Sequence, residues 1–369
     1  MVQNTDVFII GGGPAGLAAA IAARRLNLEV LVADGNHPPI DKPCGEGLMP
    51  DSIAALAQLG VKIQPSEGFP LRGINFNDQR TSVTADFPTG HGVGLRRPIL
   101  QQKMLDRASE LGVKFLWKTP VVGIQPNGVT LAGGNLIRAR WIVGADGGQS
   151  RVRTWAGLDP SNRNHGRLAF RAHFAVAPWS NHVEIHWADY AQAYVTPVSH
   201  SEVCVVVASE ERTRGSSLSL ELFPALARRL MNAHLARPER GIVTTMHRLR
   251  NVHRGNVALI GDASGSVDAI TGEGLSLSFQ QAQALAHSMV TNNLAPYQKA
   301  HRQLAHRPTF MARLLLLLDG RPRLRTRTFA TFAAHPEVFA RLISIHVGET
   351  SPAHFATTGA MLGWRFLAA

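Results

Sequence analysis

Cysteine is nearly absent: Cys44 and Cys204 are the two in 369 residues, and they lie far apart in sequence. That excludes a disulfide framework and the paired-cysteine spacing of a zinc site, and no metal is expected. Acidic residues are also scarce, 26 against 38 lysines and arginines, which leaves a net charge of +12. Such an excess suits nucleic acid, an anionic membrane or acidic substrates. No helix-turn-helix, zinc-finger or RNA-binding aromatic signature accompanies it, so a nucleic-acid partner is not expected. The basic residues are dispersed, apart from Arg321, Arg323, Arg325 and Arg327. Long apolar runs are missing too: the leucines from Leu314 to Leu318 fall far short of the roughly 20 residues that cross a bilayer. The opening MVQNTDVFII has neither the basic head nor the cleavage site of a signal peptide, so a cytoplasmic location is expected.

What is present is punctuated by glycine. DVFIIGGGPAGLAAAIAARR (6–25) runs from an apolar strand through a glycine turn into an alanine-rich helix. NLEVLVADG (27–35) reads as a second buried strand that ends on Asp34, which completes a strand–helix–strand unit. DSIAALAQLG and RPILQQKMLDRASELG repeat apolar residues with a helical period. VKFLWK, VVGIQ, VTLAG and LIRARWIVGADG follow as strands separated by turn signals. From about 165 to 253 the segments GRLAFRAHFAVAP, NHVEIHWAD, QAYVTPV and SEVCVVVAS predict an antiparallel sheet, with one helix around 218–236. NVALIGD then returns the chain to the first domain, and helices follow Gly274.

The expected fold is therefore α/β with an α+β insertion. A Rossmann-like dinucleotide domain (1–72, 95–160 and 254–295) carries an inserted antiparallel-sheet domain (73–94 and 161–253), and a helical region (296–369) ends the chain.

Gly11, Gly13 and Gly16, with Pro14 and Ala15 between them, fit the dinucleotide loop in its required setting. The first glycine permits the tight turn, the second lets the backbone approach a pyrophosphate, and the third lets the helix pack close to the strand. Asp34 is placed to accept hydrogen bonds from a ribose. Two further loops, GADGGQSRVR (144–153) and GDASGSVDAITGEG (261–274), also follow strands. They offer Asp146 with Gly147 and Gly261 with Asp262. A ligand that needs three separated supports is longer than a nucleotide, and an extended FAD fits that need. Asp262 suits ribityl hydroxyls. Gly272, Glu273, Gly274 and Leu275 open a helix whose positive end would face the flavin ring where charge gathers on reduction.

These three motifs, in this order, resemble the FAD-dependent family with the para-hydroxybenzoate hydroxylase fold, which includes aromatic hydroxylases, flavin halogenases and geranylgeranyl reductases. The likeness spans at least residues 6–290, with a dinucleotide domain of the glutathione-reductase type. KPCGEGL (42–48) and GDASGSVDAITGEGLSLS are similar to the motifs of the geranylgeranyl reductases, although Ala269 stands where that group usually has proline. The resemblance implies Arg97 and Gln101 near the pyrophosphate and ribityl chain, and the Val121 backbone near the adenine. It also implies Cys44 and Gly45 beside the flavin, with Cys44 the candidate for chemistry there. QAYVTP (192–197) puts Gln192 and Tyr194 where halogenases carry tryptophans, which argues against halogenation.

Among the remaining residues, Glu46 and Asp268 are candidate acid or base groups. His182 and His186 share a strand face that could border a cavity. Phe170, Phe174, Trp187 and Tyr194 are expected to wall the substrate pocket. The strip 310–332 joins an apolar helix to alternating arginines and is a candidate for peripheral membrane contact.

The expected activity is that of a FAD-dependent oxidoreductase on an apolar prenyl, polyketide-derived or aromatic molecule, with hydride delivery to a double bond. NAD(P)H or a redox protein would serve as the external electron donor. The alternatives are a monooxygenase using NAD(P)H and O2 through a flavin hydroperoxide, and a flavin-holding RNA- or membrane-binding protein with little turnover.

Overall fold

A computed structural model describes residues 4–78, 80–159, 166–210, 217–245 and 247–350. The strand Asn4–Ile10, whose last four residues are buried, sits at the centre of the first sheet. It pairs in parallel with Val30–Ala33 on one side and with Leu136–Gly144 on the other. Lys114–Leu116 and Val257–Leu259 extend the parallel order outward. Parallel strands covered on both faces must be apolar throughout, which is why VFII and VLVA read as continuous runs.

The helix Pro14–Arg24 packs on one face with Arg97–Glu110 and Gly274–Val290. Gly16 lets the helix start close against the turn that follows the first strand, since a Cβ there would lie 1.9 Å from the Gly11 carbonyl oxygen. The Tyr297 hydroxyl donates to the Leu259 carbonyl at 2.6 Å and ties the helix Ala295–Asp319 to the last parallel strand.

The second sheet has seven strands, in the order His234–Thr245, Gly166–Ala175, Glu202–Glu210, Ala191–Ser199, His182–Ala188, Gly73–Asn77 and Ser82–Asp86. Every pairing in it is antiparallel except that between His182–Ala188 and Gly73–Asn77. One face packs on the short helix Pro224–Leu230. At the other end of the sheet, Phe76 and Trp187 pack with Phe329 and Phe339 of the helices Pro322–Ala334 and Pro336–His346.

The structure departs from the sequence expectations in three places. Gly92–Gly94, expected in the inserted sheet, pairs instead with Gly47–Leu48 and Phe69–Leu71. The helix expected over 218–236 is confined to Pro224–Leu230, because His234–Thr245 is drawn into an edge strand beside Gly166–Ala175. An edge is where Pro238 can sit without removing a ladder hydrogen bond. PYQKAHRQLAHRP and FMARLLLLLDG form a single helix of 25 residues that continues through Pro308. The end of the chain, 351–369, lies outside the described residues.

The inserted sheet and the C-terminal helices are joined by a buried ion pair, Arg167 to Asp319 at 2.9 Å, with side chains only 6% and 2% exposed. Gln192 bonds to both partners. Removing one member of such a pair strands the other charge and costs about 3–5 kcal/mol. Asp319→Ala should therefore lower the urea and thermal midpoints markedly, while Asp319→Asn, which keeps an acceptor for Arg167, should cost less. Equal midpoints in denaturation curves of the two variants would contradict this assignment.

Candidate functional site

A cavity of about 1160 Å³ lies between the glycine turns of the first sheet, the inner face of the second and the C-terminal helices. At one end the chain makes room with glycine. Gly11 has φ +113°, and a Cβ there would strike the Ala145 carbonyl oxygen at 2.4 Å. Gly13, Gly45, Gly148, Gly272 and Gly274 have no atom within 4 Å of where a Cβ would stand. Gly13, Pro14, Ala15, Asp34, Val121, Asp146 and Gly147 border this end of the cavity. Gly45, Asp262, Gly272, Gly274 and Leu275 border it further along.

Charge is distributed along the same wall. Asp34 accepts hydrogen bonds from the Gly12 and Asn36 amides, each at 2.8 Å. Arg97 lines the cavity, and its buried Nε has no hydrogen-bond partner. Lys42, which sequence reasoning passed over, lines the cavity and brings its Nζ close to Gly147. Asp262 is accessible from inside the cavity yet walled in by protein. Burial raises its pKa, against the pull of Arg97 and Lys42. A buried guanidinium nitrogen without a partner, a lysine and an open helix start suit a diphosphate, whereas the acids suit sugar hydroxyls. The donors and acceptors present therefore fit an elongated dinucleotide.

Three expected contacts stand behind the wall rather than on it. Gln101 donates to the Gly12 carbonyl at 2.9 Å and accepts from the Ile40 amide, so it sets the backbone of two loops. Gly261, at φ +60°, is held through its amide by Gln281 at 2.9 Å. Glu273 turns its carboxyl away from the cavity. Asp146 has a second duty at the cavity wall: it accepts from Ser150 Oγ and from the amides of Arg151 and Val152.

The 42–48 loop is fixed by Glu46. This residue takes φ +59°, and its side chain is fully buried. Its carboxylate contacts His173 Nε2 at 2.7 Å and accepts from the Arg97 amide at 2.9 Å. Arg96 Nε and Arg171 Nη1 each lie 3.5 Å away. Arg171 also holds Asp41 at 2.7 Å. Glu46 thus serves as an anchor rather than as an acid or base exposed to substrate. Glu46, His173 and Cys204 bring three ligand-type atoms within 4.8 Å. The flanking guanidiniums already neutralise that carboxylate, and burial raises the Cys204 thiol well above its ordinary pKa, so the cluster is poorly suited to a cation. Cys44 lines the cavity, and its sulfur accepts from the Glu46 amide at 3.4 Å.

The far end of the cavity is apolar. Ile74, Phe76, Val183 and Ile185 of the inserted sheet face Met311, Leu315, Leu342 and Ile343 of the C-terminal helices. Of the four expected aromatic wall residues, Tyr194 lines the cavity, and its hydroxyl donates to the Ile270 carbonyl at 3.1 Å. The other three do not. Side chains alternate along a strand, and on Gly166–Ala175 the inward parity belongs to Arg167, Arg171 and His173. Phe174 consequently packs with Phe223 and Leu226 in the core under the short helix, and Phe170 sits against Gly241. Trp187 shares the inward parity of Ile185 but lies in the aromatic core with Phe329.

His182 and His186 likewise alternate away from the cavity. They bond Asp86 at 2.8 Å and Glu184 at 3.0 Å. Asp268 borders the cavity but also caps its own turn, accepting from the Ile270 amide at 3.0 Å. In the 310–332 strip, Met311 and Leu315 face the cavity, and Arg325 is buried against Asp189 at 2.8 Å.

Glu273 meets Arg307 Nη2 at 3.1 Å and His346 Nδ1 at 3.6 Å. Burial is the main cause that pushes its pKa to about 8, and burial likewise pulls His346 to about 4. His346 was not expected at the site, since a lone histidine in a C-terminal helix gives no local signal. It nevertheless borders the cavity.

Glycine turns at the ends of one parallel sheet, facing an elongated, cation-lined cavity, fit a flavoprotein oxidoreductase. The chain belongs to the family described as the FAD binding domain, whose model matches residues 4–295. It is 28% identical over 323 residues to a menaquinone reductase of Mycobacterium tuberculosis (strain CDC 1551 / Oshkosh), covering 79% of this chain and 78% of that protein. It is 32% identical over 178 residues to digeranylgeranylglycerophospholipid reductase 1 of Methanothermobacter thermautotrophicus, covering 44% of each. In fold it is similar to the flavin-dependent brominase Bmp2, with a TM-score of 0.82 and 18% identity over 98% of this chain and all of that one. No helix among the described residues is long and apolar enough to cross a membrane.

Two outcomes follow from this geometry. Asp262→Ala should weaken FAD retention about 10- to 100-fold, the value of one or two hydrogen bonds to a charged group, without moving the apoprotein's melting point. Equilibrium dialysis with FAD checks it, and unchanged retention would contradict the assignment. The second concerns pH. Glu273 holds its proton in the fold up to about pH 8 against an ordinary 4.5, so its contribution to stability falls as pH rises between those values. His346 opposes this only between about 4 and 6.5. From pH 6.5 to 8 the wild type should therefore lose stability more steeply than Glu273→Gln, as read by urea midpoints at both pH values.

Proposed function

We propose that this FAD-dependent oxidoreductase reduces a carbon–carbon double bond in a long apolar molecule of the isoprenoid class. The observation that supports this most directly is the apolar end of the cavity, where Ile74, Phe76, Val183 and Ile185 of the inserted sheet face Met311, Leu315, Leu342 and Ile343 of the C-terminal helices. The reductase names carried by two relatives agree with it, as does the PCGEG loop.

Gly13, the start of the helix Pro14–Arg24, Arg97 and Lys42 would hold the diphosphate. Asp34 would hold the adenosine ribose, and Asp262 the ribityl chain. When bound and reduced, FAD supplies a hydride. The chain's own share is to place the double bond, to exclude water with Ile185, Leu315 and Ile343, and to keep the start of the helix Gly274–Val290 directed at developing negative charge. Cys44 would border the flavin and shape the reacting end of the pocket. NAD(P)H or a small redox protein would reduce the flavin, since the chain has no second glycine fingerprint for a resident nicotinamide.

Anaerobic mixing of the FAD-loaded, dithionite-reduced chain with a menaquinone in detergent tests this reading. Reoxidation of the flavin with appearance of a side chain two mass units heavier is the expected result. A product that gains oxygen on admission of air, with no saturation under nitrogen, would replace it with monooxygenation. Filling the tunnel with Leu315→Trp or Ile343→Trp should raise KM at least about tenfold or abolish turnover, while the bound flavin keeps its absorbance. A burial of that size blocks substrate volume rather than cofactor contacts.

A further inference from the structure

Saturating an isolated double bond takes a proton as well as a hydride. The groups already assigned to FAD do not provide a proton at the apolar end of the cavity. Next to Ile343 and Leu342, among the described residues, one titratable ring reaches the wall there from the C-terminal helices: His346, whose side chain is 6% exposed. Its Nδ1 is buried without a well-aligned hydrogen bond and stands 3.6 Å from Glu273 Oε2, close enough for a small rotation to complete one. Behind Glu273, whose side chain is 3% exposed, lies Arg307 at 3.1 Å from its other oxygen. Arg307 reaches Asp51 at 2.9 Å, and the Ser276 hydroxyl donates to the same Asp51 oxygen at 2.8 Å. Arg307 and Asp51 are 25% and 13% exposed, so the row runs from water to the cavity wall.

We propose that His346, supplied by Glu273, is the proton donor that completes reduction of the substrate double bond. This rests on the reductase reading above. The alkene takes a hydride from the reduced cofactor at one carbon and, at the other, the proton carried on the imidazole nitrogen remote from Glu273. The ring regains a proton at Nδ1 from the Glu273 carboxyl. The carboxylate left behind is held by Arg307 and is reprotonated from solvent past Asp51. The ring is neutral before and after; its proton, left on Nδ1, returns to Nε2 by exchange with water when the product leaves, and one carbon–carbon π bond is exchanged for two C–H bonds.

The surroundings favour this charge pattern. The charged groups facing the pair are Arg307 and Asp51, and burial outweighs their opposed effects. Near neutral pH it leaves Glu273 as a protonated acid and His346 as an uncharged imidazole. Arg307 is then the cation that stabilises Glu273 only after it has given up its proton. The buried pair explains why an acid sits at the start of a helix that is otherwise directed at a cofactor, and why its side chain turns away from it.

The test uses the FAD-loaded chain and menaquinone as probe, together with nitrogen-15 histidine NMR on the chain without cofactor. His346→Phe should lower kcat about 100-fold or more, the usual worth of a general acid, with KM and flavin absorbance little changed. Glu273→Gln should lower kcat similarly and remove the alkaline limb of the pH profile, and Glu273→Asp should restore part of it. In the NMR experiment His346 should stay uncharged from pH 5 to 8 with Nδ1 unprotonated, and Glu273→Gln should shift that resonance. If the wild type saturates the probe and the variants are as fast, the relay is overturned and the reductase reading stands. If the wild type does not saturate it, both are overturned. If the variants fail to fold, the wild-type NMR decides: an imidazole titrating near its ordinary value, or protonated at Nδ1, overturns the relay.

Discussion

The buried carboxylate of Glu46 is the constraint on which the molecule's geometry depends. It belongs to a loop that leaves the dinucleotide sheet, yet its partners come from a helix start (the Arg97 amide), a preceding turn (Arg96) and a strand of the inserted sheet (His173 and Arg171). One acid therefore locates three segments relative to each other. A buried charge with several partners tolerates little displacement, because any partner withdrawn leaves desolvated charge behind. This cluster ties the inserted sheet to the loop and helix beside the dinucleotide sheet, and the Arg167–Asp319 pair further along the same strand ties it to the helix Ala295–Asp319.

Much of this was legible in the residues, for reasons that can be stated. The glycine turns at 11–16 and 261–274 announce themselves because crowding at Gly11, Gly16 and Gly265, and positive φ at Gly11, Gly261, Gly265 and Gly272, favour glycine there. Asp34 and Asp262 were readable because each ends a strand at a point where a ligand can approach. Gln101 and Glu273 were misplaced in detail for a shared reason. Sequence position tells which residue is near a loop, but not whether its side chain points at the cavity or back into the protein.

The inserted sheet was harder to read, and parity explains why. GRLAFRAHFA alternates two plausible faces, one aromatic and one charged. Ordinary hydrophobic patterning favours putting Phe170 and Phe174 toward an apolar substrate. The chain does the opposite, since both aromatics serve the outer side of the sheet and the inward set is Arg167, Arg171 and His173. Those three face inward because the opposing loop and helix offer Asp41, Glu46 and Asp319, all distant in sequence and invisible to a local reading. The same limit applies to Lys42 and His346, whose significance arises only from what the fold places beside them.

The family model ends at residue 295, where the helix Ala295–Asp319 begins. Every residue assigned to the cofactor precedes that point, whereas Met311, Leu315, Leu342, Ile343 and His346 all follow it. One side of the apolar wall is thus carried by a stretch that follows every residue proposed to hold the cofactor. Drift confined to the last stretch can retune the size and greasiness of the accepted molecule while the redox machinery stays intact, a route by which one scaffold diversifies.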